Sequence, residues 1–314
     1  MSGDRRPHQP VLYQEVIDLL RPQKSGHYVD ATLGAGGHAE GILTASDPDG
    51  ILVGLDLDIQ ALEIARQRLS KYGERAVVRH ASYTQIEQIL KELKWSGMNG
   101  ILFDLGVSSM QLETPERGFS FLQDGPLDMR FDSQQELTAQ QLVNEMKEEE
   151  LAKIIWEFGE EPQARKIAAA IIRARPLSTT HQLADLVGSV MQEKHGRIHP
   201  ATLVFQALRI AVNSELQNLK TGLDQAIPLL IKDGRIAVIS FHSLEDRMVK
   251  QTFQRQSRNC ICPPEQPVCT CGHVASLKVI TRHAIKPSAQ EVQFNPRARS
   301  AHLRVAQKVI GEIV

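Results

Sequence analysis

Hydrophobic and polar positions alternate along the first 105 residues with two different periods. Short runs of Val, Ile and Leu, bounded by Gly or polar residues, predict strands at 27–33, 51–56, 76–80 and 100–105. Between them, apolar residues at helical spacing predict helices at 38–45, 59–72 and 83–93. Because strands that are apolar throughout suit a parallel sheet covered on both faces, the pattern predicts half of a doubly wound α/β sheet.

The alternation stops between residues 110 and 213, where no strand pattern is convincing. A segment rich in Gly and Pro at 111–130 predicts a loop. Helical patterns then follow at 138–146, 148–158, 162–175, 180–192 and 202–219. A mostly helical stretch inside an α/β alternation is typical of an inserted subdomain. We therefore expect a discontinuous α/β domain, 1–112 and 214–314, with a helical substrate-recognition subdomain at 113–213.

The α/β pattern returns near residue 234. It predicts a strand at 235–241, a helix at 244–257 and two late strands at 277–285 and 301–308. Two strands with a short connection favour an antiparallel hairpin at the sheet edge. The predicted fold is a mostly parallel α/β sheet with a closing antiparallel edge.

Composition narrows the class of protein. The chain is 42% hydrophobic and 23% charged, and no apolar run approaches the roughly 18–20 residues of a membrane helix. The polar N-terminus predicts no secretory signal, and all four cysteines lie in one short segment, so we expect a reducing cytoplasm. The formal net charge of −1 hides a basic C-terminal third, which favours contact with phosphate and hence with nucleic acid.

The clearest chemical signal is the segment Y-V-D-A-T-L-G-A-G-G-H, which ends at His38. A glycine turn between a strand and a helix lets the backbone approach a ligand closely. The next strand ends on Asp56, where an acid can hold ribose hydroxyls. These features predict a nucleoside-cofactor site. The Gly34–Gly37 spacing does not fit the dinucleotide pattern G-x-G-x-x-G, which argues against a nicotinamide dehydrogenase on the same fold.

The acid Asp30, four residues before Gly34, changes this picture. The pattern D-x-x-x-G-x-G after a first strand resembles that of the Rossmann-like (class I) S-adenosylmethionine-dependent methyltransferases. The resemblance implies that the glycine turn packs against the methionine part of the cofactor and that Asp56 accepts bonds from the ribose. It places Tyr83 beside the adenine and Asp104, at the end of the fourth predicted strand, at the edge of the reaction pocket.

Longer motifs make the resemblance more specific. The chain contains D-L-G-V-S-S-x-Q-L, E-R-G-F-S-F, D-G-P-L-D-M-R, H-P-A-T, F-Q-A-L-R-I-x-V-N-x-E-L, S-F-H-S-L-E-D-R and N-P-R-A-R-S. Together these motifs resemble the bacterial 16S rRNA cytosine-N4 methyltransferases of the RsmH/MraW type, over nearly the whole chain. The resemblance implies N4-methylation of a cytidine in the decoding region of the small ribosomal subunit. The implied cofactor residues are Asp30, Gly34, Gly36, Gly37, His38, Asp56, Tyr83, Asp104 and Gln111.

The acceptor chemistry is constrained by the position of the cysteines. Methylation of a pyrimidine carbon usually needs a thiolate, and the cysteines lie far along the chain from the predicted strand ends, so oxygen or nitrogen is favoured. An amine needs a hydrogen-bond acceptor and a route for its proton. Candidate catalytic residues are Asp104, Ser108, Ser109 and His242. The serines are equally consistent with turn capping, and His242 with a structural role. The chain lacks the Pro-Pro-aromatic motif of many DNA amino-methyltransferases, so that motif assigns no amine-orienting residue.

Basic residues in the quoted motifs are candidate RNA contacts, because the planar fork of Arg suits phosphate. They are Arg117, Arg130, His199, Arg209, Arg247, Arg297 and Arg299. The alternative is internal ion pairing, for example Arg130 with Asp128 or Asp132, and Arg247 with Glu245 or Asp246.

The pattern C-x-C, six residues, C-x-C predicts a candidate structural zinc site at Cys260, Cys262, Cys269 and Cys271. Zinc ribbons more often use C-x-x-C, so free thiols in a loop remain the alternative.

An RNA-binding assembly factor with an inactive cofactor fold is the non-enzymatic alternative to a methyltransferase. The expected partner is 16S rRNA in the small subunit, without a membrane, and an exposed helical insertion is compatible with a homodimer.

Overall fold

The computed structural model describes residues 10–191, 199–266 and 268–309, and the chain divides into two compact units. Unit 1 combines the chain up to Gly106 with the chain from Asn218 onward, and unit 2 is Val107–Gln217. The sequence-based boundaries, 113 and 213, lie inside unit 2. No helix in the described ranges is both long and apolar enough to cross a membrane.

Unit 1 contains a seven-stranded sheet. Its strands are β1 (His27–Asp30), β2 (Ile51–Asp56), β3 (Ala76–His80), β4 (Met98–Asp104), β5 (Leu230–Ser240), β6 (Leu277–Val279) and β7 (His302–Lys308). The order is β3-β2-β1-β4-β5-β7-β6; β1 to β5 are mutually parallel, and β7 is antiparallel to both β5 and β6. The predicted mostly parallel sheet with an antiparallel edge is confirmed.

The strand predicted at 277–285 is wrong in its length. The N–H groups of Ile280 and Thr281 both donate to the carbonyl of Val305, at 2.9 and 3.2 Å. Because two residues then oppose one, the regular ladder stops after Val279. The chain returns to β7 only through an isolated bridge between Ile285 and Leu303.

Helices cover both faces of this sheet. They are α1 (Tyr13–Leu20), α2 (Gly37–Ala45), α3 (Ile59–Leu69) and α4 (Ile86–Glu92), and, numbered after those of unit 2, α12 (Ser243–Gln256) and α13 (Ala289–Phe294). Successive strand residues face opposite sides, so Val29 and Ile101 belong to one apolar core and Tyr28 and Leu102 to the other.

Unit 2 is helical in its described part. Its helices are α5 (Ser109–Glu113), α6 (Ala139–Glu145), α7 (Glu148–Gly159), α8 (Ala164–Ala174), α9 (Thr180–Val190) and α10 (Ala201–Asn213). The helix predicted at 202–219 is wrong as a single element. Ser214 has φ 50°, which ends α10, and α11 (Glu215–Leu229) begins at the next residue. Residue 192 of the predicted helix 180–192 lies outside the described residues.

Candidate active site

Three carboxylates lie along the carboxyl edge of the sheet. Asp30 ends β1, Asp56 ends β2 and Asp104 ends β4. Strand β1 pairs in parallel with both β2 and β4, so the carboxyl ends of the three strands lie at the same edge. This is the edge at which open α/β sheets bind ligands.

The glycine turn connects β1 to α2. Gly34 and Gly36 have φ values of 50° and 78°, in the left-handed region that residues with a Cβ rarely adopt. The Gly34 N–H donates to Asp56 Oδ2 at 2.7 Å. A Cβ on Gly37 would lie 2.5 Å from Pro10 Cγ, so the ring of Pro10 packs directly on the turn. The hydrogen bond from Gly34 therefore joins the glycine turn to Asp56 at the end of β2.

Asp30 is almost completely buried, with 1% of its surface exposed. Its Oδ1 accepts the N–H of Thr32 at 3.3 Å, and the Thr32 hydroxyl accepts the N–H of Asp104 at 2.6 Å. Burial, together with the negative charge of Asp56, raises the pKa of Asp30 to about 7. Asp30 thus bonds to the backbone of the loop that follows β1, and Thr32 links that loop to β4.

Asp104 and His38 meet beside the turn, with His38 Nε2 3.6 Å from Asp104 Oδ2. Burial, and then the charges of Asp30 and Glu245, raise the pKa of Asp104 to about 8. Burial lowers the pKa of His38 to about 4, so its imidazole is neutral at neutral pH. Within the described ranges, Asp104 Oδ1 and His38 Nε2 are buried without a hydrogen-bond partner. Buried polar atoms without partners are costly, and these lie beside the glycine turn, since His38 directly follows Gly37.

The electrostatics of this edge favour a cation. Burial also raises the pKa of Asp56, although the N–H groups of Asp58 and Gly34 oppose the shift. Three carboxyls with raised pKa values border the same turn, and a positive charge placed there would stabilise their ionised forms. S-adenosylmethionine carries such a charge on its sulfonium. The residues present therefore fit the methyl donor that the sequence predicted.

Tyr83 follows β3 and is held in place by its neighbours. Its ring meets Phe103 edge-on, with the ring centroids 5.4 Å apart. A Cβ on Gly222 would lie 2.7 Å from Tyr83 Cδ2, so only glycine fits opposite the ring at that position. Contact of Tyr83 with an adenine stays a prediction.

Ser108, Ser109 and Gln111 lie at the start of α5 in unit 2. The Ser108 hydroxyl accepts the Gln111 N–H at 3.2 Å, and Gln111 Oε1 accepts the Ser108 N–H at 3.0 Å. This is a capping box, the structural alternative considered for Ser108. The cofactor role of Gln111 and the catalytic roles of both serines stay predictions.

His242 precedes α12 and caps it. Its Nδ1 accepts the Glu245 N–H at 3.4 Å, and its Nε2 lies 3.2 Å from Glu245 Oε1. Glu245 Oε2 in turn accepts the Phe241 N–H at 2.9 Å. The imidazole is 6% exposed and has a structural partner on its own helix, so its catalytic role also stays a prediction.

Three of the candidate RNA-binding arginines are engaged within unit 2. Arg117 donates to the carbonyl of Arg130 at 2.8 Å. Arg130 makes two bonds to the carboxylate of Asp128, at 2.9 and 2.7 Å, which is the ion pair considered as the alternative. Arg209 binds Glu215 in the same forked manner, at 2.8 and 3.1 Å. These bonds occupy much of each guanidinium, and RNA contact stays a prediction for all three.

The other candidate RNA contacts are exposed: His199, Arg247, Arg297 and Arg299. The ring of His199 lies 4.8 Å from that of Phe121, and its Nδ1 accepts the Ala201 N–H. Asp246, one of the acids considered as a partner for Arg247, instead forms a two-bond ion pair with Arg304 at 2.7 and 2.9 Å.

The four cysteines converge in the loop between α12 and β6. Their Sγ atoms all lie within 4.8 Å of one another. Cys271 Sγ is 3.5 Å from Cys269 Sγ and 3.9 Å from Cys260 Sγ. The N–H groups of Ile261 and His273, each 3.5 Å from Cys271 Sγ, lower the pKa of that thiol to about 6.

Sequence reasoning missed two residues of this edge. Thr32, which bonds to the backbone of Asp104, stands between Asp30 and Gly34, so its place in the same turn was a usable signal. Glu245, which helps to raise the pKa of Asp104, is distant in sequence and gave no such signal.

Comparison with known proteins identifies the family. The profile of the MraW methylase family matches residues 5–309. The chain belongs to the MraW methylase family. One relative of this family member, from Syntrophotalea carbinolica, is 51% identical over 314 residues, covering 98% of this chain and 100% of the relative. Another, from Dehalococcoides mccartyi, is 49% identical over 304 residues, covering 97% and 87%. Both are named ribosomal RNA small subunit methyltransferase H.

One solved structure resembles this family member distantly. An rRNA methylase from Streptococcus thermophilus gives a TM-score of 0.42 at 11% identity, covering 95% of this chain and 94% of that one. The family assignment rests on the profile and on the close relatives, and it confirms the resemblance seen in the motifs.

Proposed function

We propose that this protein transfers a methyl group from S-adenosylmethionine to N4 of a cytidine in the decoding region of 16S rRNA. The observation that carries the proposal is the carboxyl-edge site, in which the Gly34–Gly37 turn is bonded to Asp56 beside Asp104. Family membership and the names of the close relatives support an rRNA acceptor.

Each part of the site has a proposed task toward the cofactor. Backbone N–H groups of the glycine turn, at the start of α2, hold the methionine part. Asp56 keeps acceptor capacity for the ribose hydroxyls beyond its bonds to Gly34 and Asp58. Tyr83 packs beside the adenine, and His38 Nε2 meets a polar group of the ligand. When bound, the cofactor supplies a methyl group activated by a positive sulfur.

Asp104 is the proposed catalytic residue. A carboxylate can accept a hydrogen bond from the cytosine amine, which orients the amine toward the methyl group, and can then receive the amine proton. Its pKa of about 8 makes it a competent proton acceptor once a nearby cation favours the ionised form. Ser108, Ser109 and His242 are proposed as secondary members of the acceptor pocket, and Gln111 as a cofactor contact.

The proposed substrate is 16S rRNA within an assembled small subunit in the cytoplasm. The helical unit 2 is proposed to recognise the RNA, with Arg117, Arg130, His199 and Arg209 contributing from it. Arg247, Arg297 and Arg299 contribute from unit 1. The protein itself is proposed to form a homodimer, and light scattering would measure its oligomeric state.

A structural zinc ion completes the proposal. With Zn–S bonds of about 2.3 Å, tetrahedral geometry puts the sulfurs about 3.8 Å apart, close to the 3.5 and 3.9 Å separations seen here. His273 Nε2 lies 3.1 Å from the carbonyl of Arg255, so four thiolates are the better ligand set than three and an imidazole. Backbone N–H groups that donate to a ligand sulfur are typical partners of such sites.

Metal analysis tests the zinc. We expect about one zinc per purified chain, and cobalt-substituted protein with the absorption bands of a tetrahedral thiolate site. Cys271→Ser should lose the metal, whereas Thr270→Ser, a neighbour in the same loop, should keep it. Purified protein that holds no zinc and does not take it up would exclude the site.

Transfer to ribosomal subunits tests the main proposal. Labelled S-adenosylmethionine is mixed with small subunits that lack the modification, and the nucleosides are then analysed. We expect label in N4-methylcytidine alone. Asp104→Asn should abolish transfer, while the exposed Glu63→Gln variant should retain it. Label in a different nucleoside, or none from the wild-type protein in any assembly state, would refute the proposal.

A further inference from the structure

An exposed aromatic ring stands beside two exposed arginines near the end of the chain. Phe294, the last residue of α13, is 73% exposed. Arg297 and Arg299 follow in the single 3₁₀ turn Pro296–Ser300, and both are exposed. Ala298 between them is fully buried, so the turn is anchored in the core while its two cations face solvent.

The register of the sheet places this segment at the edge that carries the active site. The turn leads directly into β7, whose His302 pairs with Ser240 at the carboxyl end of β5. One residue earlier on β5, Ile239 pairs with Asp104. The chain from Phe294 to Ser300 therefore enters the sheet at the edge where Asp104 lies.

A second anchor ties the segment to the glycine turn. Glu291 on α13 accepts the N–H of Leu12 at 2.8 Å through Oε1. Two residues before Leu12, Pro10 packs against Gly37. One hydrogen bond thus links α13 to the chain that covers the proposed cofactor turn.

The charge around Phe294 favours a polyanion. Between residues 282 and 299 there are four Lys or Arg and one acid, Glu291, which is already bonded to Leu12. Arg282 and Lys286 are exposed, like Arg297 and Arg299. An aromatic face among cations is the arrangement that binds single-stranded nucleic acid, since bases stack on the ring and phosphates meet the cations. An apolar protein partner would desolvate these exposed charges at a cost, which disfavours such a partner.

We propose that Phe294 is a stacking subsite for an unpaired nucleotide that flanks the target cytidine, and that Arg297 and Arg299 bind the adjoining phosphates. This inference rests on the proposed function, because it assumes an RNA substrate at the carboxyl edge. The subsite positions substrate and takes no part in methyl transfer.

Steady-state kinetics on unmodified small subunits tests the subsite. Phe294→Ala should raise KM for the subunit by about 5- to 150-fold, the range expected for loss of one base–aromatic stack, with kcat unchanged. Phe294→Trp should keep the wild-type KM, and Phe294→Leu should behave like the alanine variant. Ile231→Ala is the matched control, since this partly exposed residue lies near the opposite end of β5 and should leave KM unchanged.

Salt dependence separates the two kinds of contact. Arg297→Ala and Arg299→Ala should each reduce the slope of log KM against log salt by about 0.7, the value for one phosphate contact on a single strand, and Phe294→Ala should leave the slope unchanged. A Phe294→Ala variant whose KM stays within twofold of wild type overturns the subsite, as does full rescue by leucine. If the wild-type protein makes no N4-methylcytidine, the proposed function fails instead.

Discussion

At the scale of single residues, the site contains two aspartates whose pKa values lie close to neutral pH. Aspartate is ordinarily ionised at neutral pH, with a pKa of about 3.9. Burial and the charge of Asp56 raise the pKa of Asp30 to about 7, and burial and the charges of Asp30 and Glu245 raise that of Asp104 to about 8. Clustered carboxyls of this kind are expected where a positive ligand will lie, because the ligand restores the charge that burial suppresses.

The first prediction concerns cofactor affinity and pH. Below pH 8, ionisation of Asp104 must accompany the binding of a cation, so the Kd of S-adenosylmethionine should fall by up to about tenfold per pH unit between pH 6 and 8. S-adenosylhomocysteine lacks the sulfonium charge, and its Kd should vary much less. Titration calorimetry of both ligands measures the difference. In Asp104→Asn the two pH profiles should run parallel; parallel profiles in the wild-type protein would contradict the role given to Asp104.

The second prediction concerns stability and Asp30. Well below pH 4 the carboxyl of Asp30 is neutral in both the folded and unfolded chains. As the pH rises from about 4 to about 7, Asp30 ionises in the unfolded chain but stays protonated in the folded one. The free energy of unfolding therefore decreases over this range. Asp30→Asn removes the penalty and keeps the acceptor for the Thr32 N–H. Its free energy of unfolding should exceed the wild-type value by up to about 4 kcal/mol at pH 8 and by much less at pH 5.

Urea titrations of the ligand-free protein at both pH values measure this difference. The exposed Glu63→Gln variant should match wild type at each pH. An Asp30→Asn protein that is less stable than wild type at pH 8 would show that the ionised carboxylate is needed by the fold.

At the scale of elements, one side chain at the start of α12, that of Glu245, both stabilises the helix end and acts electrostatically on Asp104. His242 caps the helix through Nδ1, and Glu245 bonds back to the Phe241 N–H. Glu245 also contributes to the raised pKa of Asp104. The cap therefore fixes the position of a negative charge that acts on the site.

The third prediction separates the cap from the chemistry at His242. Alanine removes the cap and should lower the free energy of unfolding by about 1 kcal/mol, whereas asparagine is a favoured cap and should keep it within about 0.5 kcal/mol of wild type. Thermal unfolding measures both variants. Transfer by the stable His242→Asn protein then decides the catalytic prediction: a fall of more than tenfold in kcat supports it, and an unchanged kcat removes it.

The elements also show what the sequence could and could not predict. β2 and β3 match their predicted ranges because Gly or polar residues bound short apolar runs. The break at Ser214 was missed because no Gly or Pro marks it. α13 was missed because it is short, although the Ser288-x-x-Glu291 spacing is a capping signal. The glycine turn was readable locally, whereas the Thr32–Asp104 bond depends on the pairing of β1 with β4, which no local pattern contains.

At the scale of the whole molecule, the chain contains two separately cored units. The apolar core of unit 2 is assembled from its own helices, and residues such as Ile155, Leu183 and Leu208 are fully buried in it. Asn213 adds polar cross-links within the unit, with its amide bonded to the backbone of Met129 and Phe131. A segment of this size with its own core has what an independent domain needs.

The fourth prediction is that unit 2 folds alone. The fragment Val107–Gln217 should show a helical circular dichroism spectrum and one cooperative thermal transition, because it contains its own apolar core. Leu208→Ala should destabilise the fragment by about 2–5 kcal/mol through loss of buried volume, whereas Leu122→Ala, at 86% exposure, should change stability by less than about 0.5 kcal/mol. A fragment that melts without a cooperative transition would contradict the independence of unit 2, and the helical insertion would then require the sheet-containing unit to fold.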